Sequence, residues 1–212
     1  WTRDVLPTKT LLFVGGHHRG GTTLLWELLA EHPKVGGFGT PFQTGSDYSE
    51  GSFLQDVMPT FGVGSENLYN GQHGREPFGL GSYALAAPEQ VHWTEETQAG
   101  LVTAAAQRRL LNQWGYFWQG AGAWERPFWL EKTPTNAVAS RYLQALVNLG
   151  IESEPGTQRD SRARFLFILR HPLANVLAHR PFIPGFRSIA DLMQNWLMVA
   201  EYIAKDRVRP PP

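Results

Sequence analysis

Apolar residues fall along this chain in two rhythms. Leu11-Leu12-Phe13-Val14, Phe128-Trp129-Leu130 and Phe165-Leu166-Phe167-Ile168-Leu169 are short unbroken runs. Such runs mark strands buried on both faces. Between them the apolar positions recur at helical spacing. Leu24, Leu25, Leu28 and Leu29 predict a helix over 22–31, ended by His32-Pro33. Leu101, Ala104, Ala105, Leu110 and Leu111 predict one over 95–114. Residues 137–149 form a third, closed by Gly150. Pro172 stands where a helix after the last strand has its first turn. A final amphipathic helix is expected over 188–205, before the triple proline at 210–212. Residues 35–90 are rich in Gly, Ser, Pro and aromatics and read as loops with short helical pieces, such as one at 53–58. Residues 151–162 read as a polar loop. Strands alternating with helices predict an α/β domain with a parallel sheet. In such folds ligands bind beyond the carboxyl ends of the strands.

Composition narrows the possible functions. At 212 residues the chain is long enough to bury about 70% of its unfolded surface, so it needs no covalent staples. Nineteen basic and nineteen acidic residues cancel. Binding to a nucleic-acid backbone draws on a surplus of positive charge that is missing here. The basic residues are mostly arginine, which suits fixed two-pronged anion contacts. With no cysteine, disulfides, thiolate zinc sites and cysteine nucleophiles are excluded. No apolar run approaches the ~20 residues of a membrane helix.

Three segments carry candidate chemistry, and each falls at the end of a predicted strand. The first is Gly15-Gly16-His17-His18-Arg19-Gly20-Gly21-Thr22-Thr23. Its glycines let backbone N–H groups turn inward, and the following helix start adds partial positive charge. Thr22 and Thr23 supply hydroxyls and Arg19 a permanent cation. This is an anion cradle by composition and placement, although the same stretch also reads as a plain turn with a capping threonine. It is not a Walker A loop. Counting from Gly15 puts Gly21 at the lysine position, and counting from Gly16 puts Thr22 there. An Mg-nucleotide triphosphatase is therefore disfavoured. Adjacent histidines seldom chelate one ion together, so His17-His18 predicts no metal.

The second segment is Glu131-Lys132-Thr133-Pro134. A lysine at a strand end can neutralise a leaving phosphate; the alternative is a surface Glu–Lys pair before a turn. The third is Arg170-His171-Pro172, which sets an arginine at a strand tip, where it can bind a phosphate or form a structural ion pair.

Taken in this order, the three segments resemble the sulfotransferases that use 3′-phosphoadenosine-5′-phosphosulfate (PAPS). The nearest likeness is to the group holding the tyrosylprotein, carbohydrate and bacterial-type enzymes. The resemblance spans residues 11 to about 200, with its specificity in 11–33, 128–136 and 164–180. It implies a P-loop-type three-layer domain, a central parallel sheet flanked by helices, formed as one unit over 1–212. Residues 35–125 then build the acceptor side. The family's loop is typically Pro-Lys/Arg-Ser-Gly-Thr-Thr and holds the 5′-phosphosulfate. By that match His18, Arg19, Gly20, Gly21, Thr22 and Thr23 bind the donor, and Arg170 binds its 3′-phosphate. Family members usually continue past this point with a segment closing over the nucleotide; by that comparison either this chain is truncated or the segment is absent.

The resemblance also implies roles in catalysis. Related sequences carry Glu-Gly-Gln-x-Leu-Gln after the first helix, and this chain has Glu50-Gly51-Ser52-Phe53-Leu54-Gln55. Glu50 is the candidate base, with Asp47 and His73 as runners-up; Glu50 also reads as a cap for a helix beginning near Ser52. Lys132, with Arg19, is assigned to the departing phosphate. One departure stands out: Ala178 occupies the place of a serine that binds the 3′-phosphate in the family. Asn175 and His179 are the candidate substitutes. The expected donor is PAPS, leaving 3′,5′-adenosine bisphosphate, with no metal. The expected acceptor is a sugar, tyrosine, phenol or alcohol, not nucleic acid. The Golgi lumen is preferred to the cytoplasm. Two alternatives remain, a catalytically silent subunit of a larger assembly and a P-loop nucleotide kinase.

Overall fold

The computed structural model describes residues 8–37, 50, 51, 57, 92–150, 162–182 and 188–208. Among these, four strands form one sheet: β1 (Thr10–Gly16), β2 (Val35–Gly36), β3 (Phe128–Lys132) and β4 (Ala163–Ile168). Their order is β2-β3-β1-β4, and every pairing is parallel. Five α-helices accompany them: α1 (Thr22–Ala30), α2 (Ala104–Gly120), α3 (Asn136–Asn148), α4 (Pro172–His179) and α5 (Ile189–Val208).

Alternation along β1 assigns the two faces of the sheet. Leu11 and Phe13 point into a large core shared with α2, α3 and α5. Leu12 and Val14 point the other way, with Leu130 and Val35, against Leu25, Trp26 and Leu29 of α1. Helices therefore cover both faces, which is why the central strand reads as a continuous apolar run. Aromatic rings fill the larger core. Phe13 stacks on Phe165 at 5.1 Å, and Trp118 stacks on Trp129 at 4.9 Å. The indole N–H of Trp118 donates to the Leu130 carbonyl at 3.0 Å, so the buried polar group is satisfied.

Two expected boundaries move. The helix predicted over 95–114 begins only at Ala104 and runs on to Gly120. Thr103 sets its start, its hydroxyl accepting the Ala106 N–H at 3.1 Å. Ahead of it Thr94 and Thr97 close a turn on each other, and Ala99–Leu101 make a 3-10 turn. Its end lies beyond Trp114 because Trp118, one turn further on, is also buried against the sheet. The short strand β2 lies in a stretch expected to be loop; its two residues carry no periodicity to read. The helical piece expected at 53–58 lies outside the described residues apart from Val57, and so does the loop at 151–162 apart from Arg162. Among the described residues no helix is long and apolar enough to cross a membrane.

Candidate functional site

Parallel pairing brings the carboxyl ends of β1, β3 and β4 to one edge. Val14 is in register with Lys132, and Gly16 with Ile168. The strand ends are then knitted together. The Thr133 N–H donates to the Val14 carbonyl at 3.2 Å and the Gly16 N–H to the Pro134 carbonyl at 3.0 Å. All three sequence segments thus meet at this edge.

The glycine-rich loop leaves β1 through Gly16, whose φ is 151°. A Cβ there would lie 2.3 Å from the Ile168 carbonyl oxygen, so both backbone conformation and space demand glycine. The chain then turns tightly, the Gly20 N–H donating to the His17 carbonyl at 2.9 Å. Arg19 sits at the turn with φ 62°, a left-handed conformation unusual for a residue with a side chain. Its side chain is exposed. Gly21 precedes α1, and no side chain caps the helix start. A helix start of this kind can take an anion, and here it carries the hydroxyls of buried Thr22 and half-buried Thr23.

The two neighbouring histidines of the loop diverge. His17 turns inward, stacks on Trp196 at 5.1 Å, and donates from Nε2 to the Trp196 carbonyl at 2.9 Å. Burial lowers its pKa to about 4, so the ring is neutral at pH 7. His18 stays half-buried at the mouth, its ring 6.1 Å from that of His179. Among the described residues no group of three His, Asp or Glu is placed to hold a metal.

The end of β3 is built from buried charge. Lys132 is fully buried, and its Nζ lies 2.6 Å from Oε1 of Glu50, a residue 82 positions away in sequence. Glu131 is buried as well, contrary to a surface Glu–Lys pair. Its Oε1 accepts the Gly51 N–H at 2.8 Å and the Thr133 hydroxyl, and its Oε2 accepts Nδ2 of Asn136 at 2.5 Å. Burial raises the Glu131 pKa to about 7, held back by those hydrogen bonds and by Lys132. Trp114 closes the far side, its indole N–H donating to the Gly51 carbonyl at 3.3 Å. Gly51 therefore lies between a buried carboxylate and a buried indole, with Glu50 next to it on the chain. Ser52, which Glu50 would cap as a helix start, lies outside the described residues, as do Asp47 and His73.

Beyond β4, Arg170 is exposed, with one guanidinium nitrogen 3.3 Å from the Arg19 carbonyl. Asn175 of α4 is buried and donates to the His18 carbonyl at 2.8 Å. One of its two amide N–H groups is thus occupied in holding the loop. His179 has its pKa lowered to about 4, first by burial and then by repulsion from His17, when that ring is protonated, and from Arg19. It supplies no positive charge near Ala178 at neutral pH.

The structure therefore gathers Arg19, Thr22, Thr23, Lys132, Glu50 and Arg170 along one sheet edge. Sequence reasoning passed over Gly51, Trp114, Asn136 and the burial of Glu131. One signal was present: Glu131 lies two residues after Trp129 in a buried strand, so alternation turns it to the same inner face. Nothing local marks Trp114 or Asn175 as partners of distant carbonyls. No protein-family model, no curated protein and no solved structure matches the chain.

Proposed function

We propose that this chain is a sulfotransferase of P-loop type that moves a sulfuryl group from PAPS to an acceptor hydroxyl or amine. The observation that carries the reading is the Glu50–Lys132 pair, at 2.6 Å, on a strand end in register with the strand that enters the anion cradle. A base and a cation are needed together where a proton leaves one oxygen while charge develops on another. The cradle fits a phosphosulfate: an uncapped helix start, two threonine hydroxyls, an exposed arginine and no lysine. The missing Walker lysine disfavours the nucleotide kinase.

Bound PAPS would supply an activated S–O bond whose cleavage leaves a phosphate. Arg19, Thr22 and Thr23 hold the 5′ end and Arg170 the 3′-phosphate. Lys132 stabilises the bridging oxygen as the S–O bond breaks. Glu50 takes the acceptor proton as the acceptor oxygen bonds to sulfur. In the resting protein the two groups neutralise each other, and a donor phosphate competes with Glu50 for the ammonium, releasing the carboxylate to act as base. Phenol, tyrosine and sugar acceptors all suit this chemistry.

Calorimetric titration with 3′,5′-adenosine bisphosphate, without magnesium, tests the reading, with ATP for comparison and Arg170→Ala as control. Micromolar binding that the variant loses is the expected result. No binding by a folded chain would sink the enzyme reading. Ala178 and the neutral His179 favour one second reading, a silent subunit kept for its surface. Nucleotide binding without release of sulfate from [35S]PAPS would select it.

A further inference from the structure

The fully buried lysine poses a mechanical problem. Its charge is met by a carboxylate from a segment far away in sequence, and a loosely tethered carboxylate would not hold a fixed position. The backbone beside that carboxylate is fastened from two sides. Gly51 donates its N–H to Glu131 and accepts the Trp114 indole N–H at its carbonyl. Space is tight enough that a Cβ on Gly51 would meet Trp114 Nε1 at 2.7 Å and Glu131 Oε1 at 2.8 Å. Glu131 is itself locked by Thr133 and Asn136, and Asn136 also donates to the Val14 carbonyl at 3.0 Å. The fastening therefore runs from the ends of β1 and β3 to the neighbour of Glu50.

We infer that Glu131 is the positioning residue of this site: its carboxylate pins the Gly51 backbone and so holds the Glu50 carboxylate at Lys132. The inference rests on the proposed role of Glu50 and Lys132 in transfer. A purely structural Glu131 would need only its bonds to Thr133 and Asn136, which close the turn after β3. The bond to Gly51 adds nothing to that turn. It fixes the backbone from which the Glu50 side chain reaches Lys132. A misplacement of about 1 Å in a reacting group costs roughly a hundredfold in rate, so a site of this kind gains from a fixed anchor.

The test reads the clamp and the chemistry separately. Amide exchange at Gly51 reports the clamp by NMR, and hydrolysis of [35S]PAPS, with water as acceptor, reports transfer. In Glu131→Ala the Gly51 amide should exchange at least tenfold faster while core amides keep their protection. The hydrolytic kcat should fall about a hundredfold with KM for PAPS unchanged. Glu131→Gln keeps an acceptor for Gly51 and should restore most of both. A folded Glu131→Ala protein that keeps Gly51 protected overturns the inference, and so does a loss of donor affinity in step with kcat. If that variant does not fold, Gly51→Ala replaces it, pushing the same backbone away from Glu131 and Trp114 without altering the buried carboxylate. Lowered kcat with a shifted Trp114 indole resonance supports the clamp, and wild-type values for both overturn it. If the wild-type protein neither binds 3′,5′-adenosine bisphosphate nor hydrolyses PAPS, the sulfotransferase reading fails by itself, and amide exchange still decides whether Glu131 holds Gly51.

Discussion

The glycine-rich loop and the end of β3 lie side by side at one sheet edge, yet they are made in opposite ways. The loop offers backbone N–H groups, an exposed arginine and a helix start, all within residues 16–23. Beneath it sit two histidines that burial keeps neutral. The β3 end offers buried ionisable groups: Lys132, met by Glu50 from far along the chain, and Glu131, held by remote Gly51 and by nearby Thr133 and Asn136. A binding surface made of backbone tolerates an open, wet mouth. A cation that must act on a developing charge is worth more when water is kept away. Under the proposed function this difference becomes a division of labour, with grip in the loop and chemistry at β3.

The largest expected effect tests that division directly. Lys132→Met should lower [35S]PAPS hydrolysis about a thousandfold, or ~4 kcal/mol of transition-state stabilisation. Its affinity for 3′,5′-adenosine bisphosphate should change less than tenfold. Arg19→Ala should do the reverse, weakening affinity more than kcat. If both variants lose affinity and rate in the same proportion, the two regions are not functionally distinct.

Stability gives the next contrast. Glu131→Ala leaves the donors of Gly51, Thr133 and Asn136 without their acceptor and should cost about 3 kcal/mol in urea unfolding. Asn175→Ala removes one bond to a loop carbonyl and should cost about 1 kcal/mol. A larger loss at Asn175 would place the main structural tie in the loop instead.

With pH the two regions pull in opposite directions, so their effects partly cancel. His17 and His179 have folded pKa values near 4, below the ordinary 6.5. Their contribution is complete above pH 6.5 and is lost as pH falls toward 4. Glu131 has a folded pKa near 7, above the ordinary 4.5. Its contribution is complete below pH 4.5 and is lost as pH rises through 7. Two histidines oppose one carboxylate, so the folded state should be less stable at pH 4.5 than at pH 7.5. Glu131→Gln removes the opposing term and should steepen that loss. Equal stability at the two pH values in the wild-type protein would show that the rings beneath the loop are not held neutral.

Much of the architecture was legible in the sequence. The runs at 11–14 and 128–130 are strands, as is 165–169 except for Leu169, and the segments behind Gly21, Pro134 and His171 are helices. β1 and β3 are buried, so their apolar rhythm is strong; β4, outermost among the described strands, has an apolar run too, but Leu166 is exposed, so it is not buried on both faces as expected. The misses have physical causes. Residues 95–103 carry apolar spacing similar to that of a helix, but the threonines at 94, 97 and 103 hydrogen-bond local backbone and end the turn early. The β2 strand is too short to show a period. The loop could be read because an anion cradle made of backbone needs only glycines, a turn and a helix start, all adjacent in sequence.

By itself, then, the sequence determined the alternation of strand and helix, the parallel sheet, and the three segments that end on one edge. Those follow from short-range patterning, in which each residue's environment repeats with the period of its own element. Only the tertiary structure decided that Glu131 is buried, that Lys132 meets Glu50, and that Gly51 is held between Glu131 and Trp114. Burying a charge is costly unless a partner comes with it. Here the partners stand 82, 80 and 63 positions apart along the chain. No local rule pairs residues at such distances; folding the strands and helices into one core does.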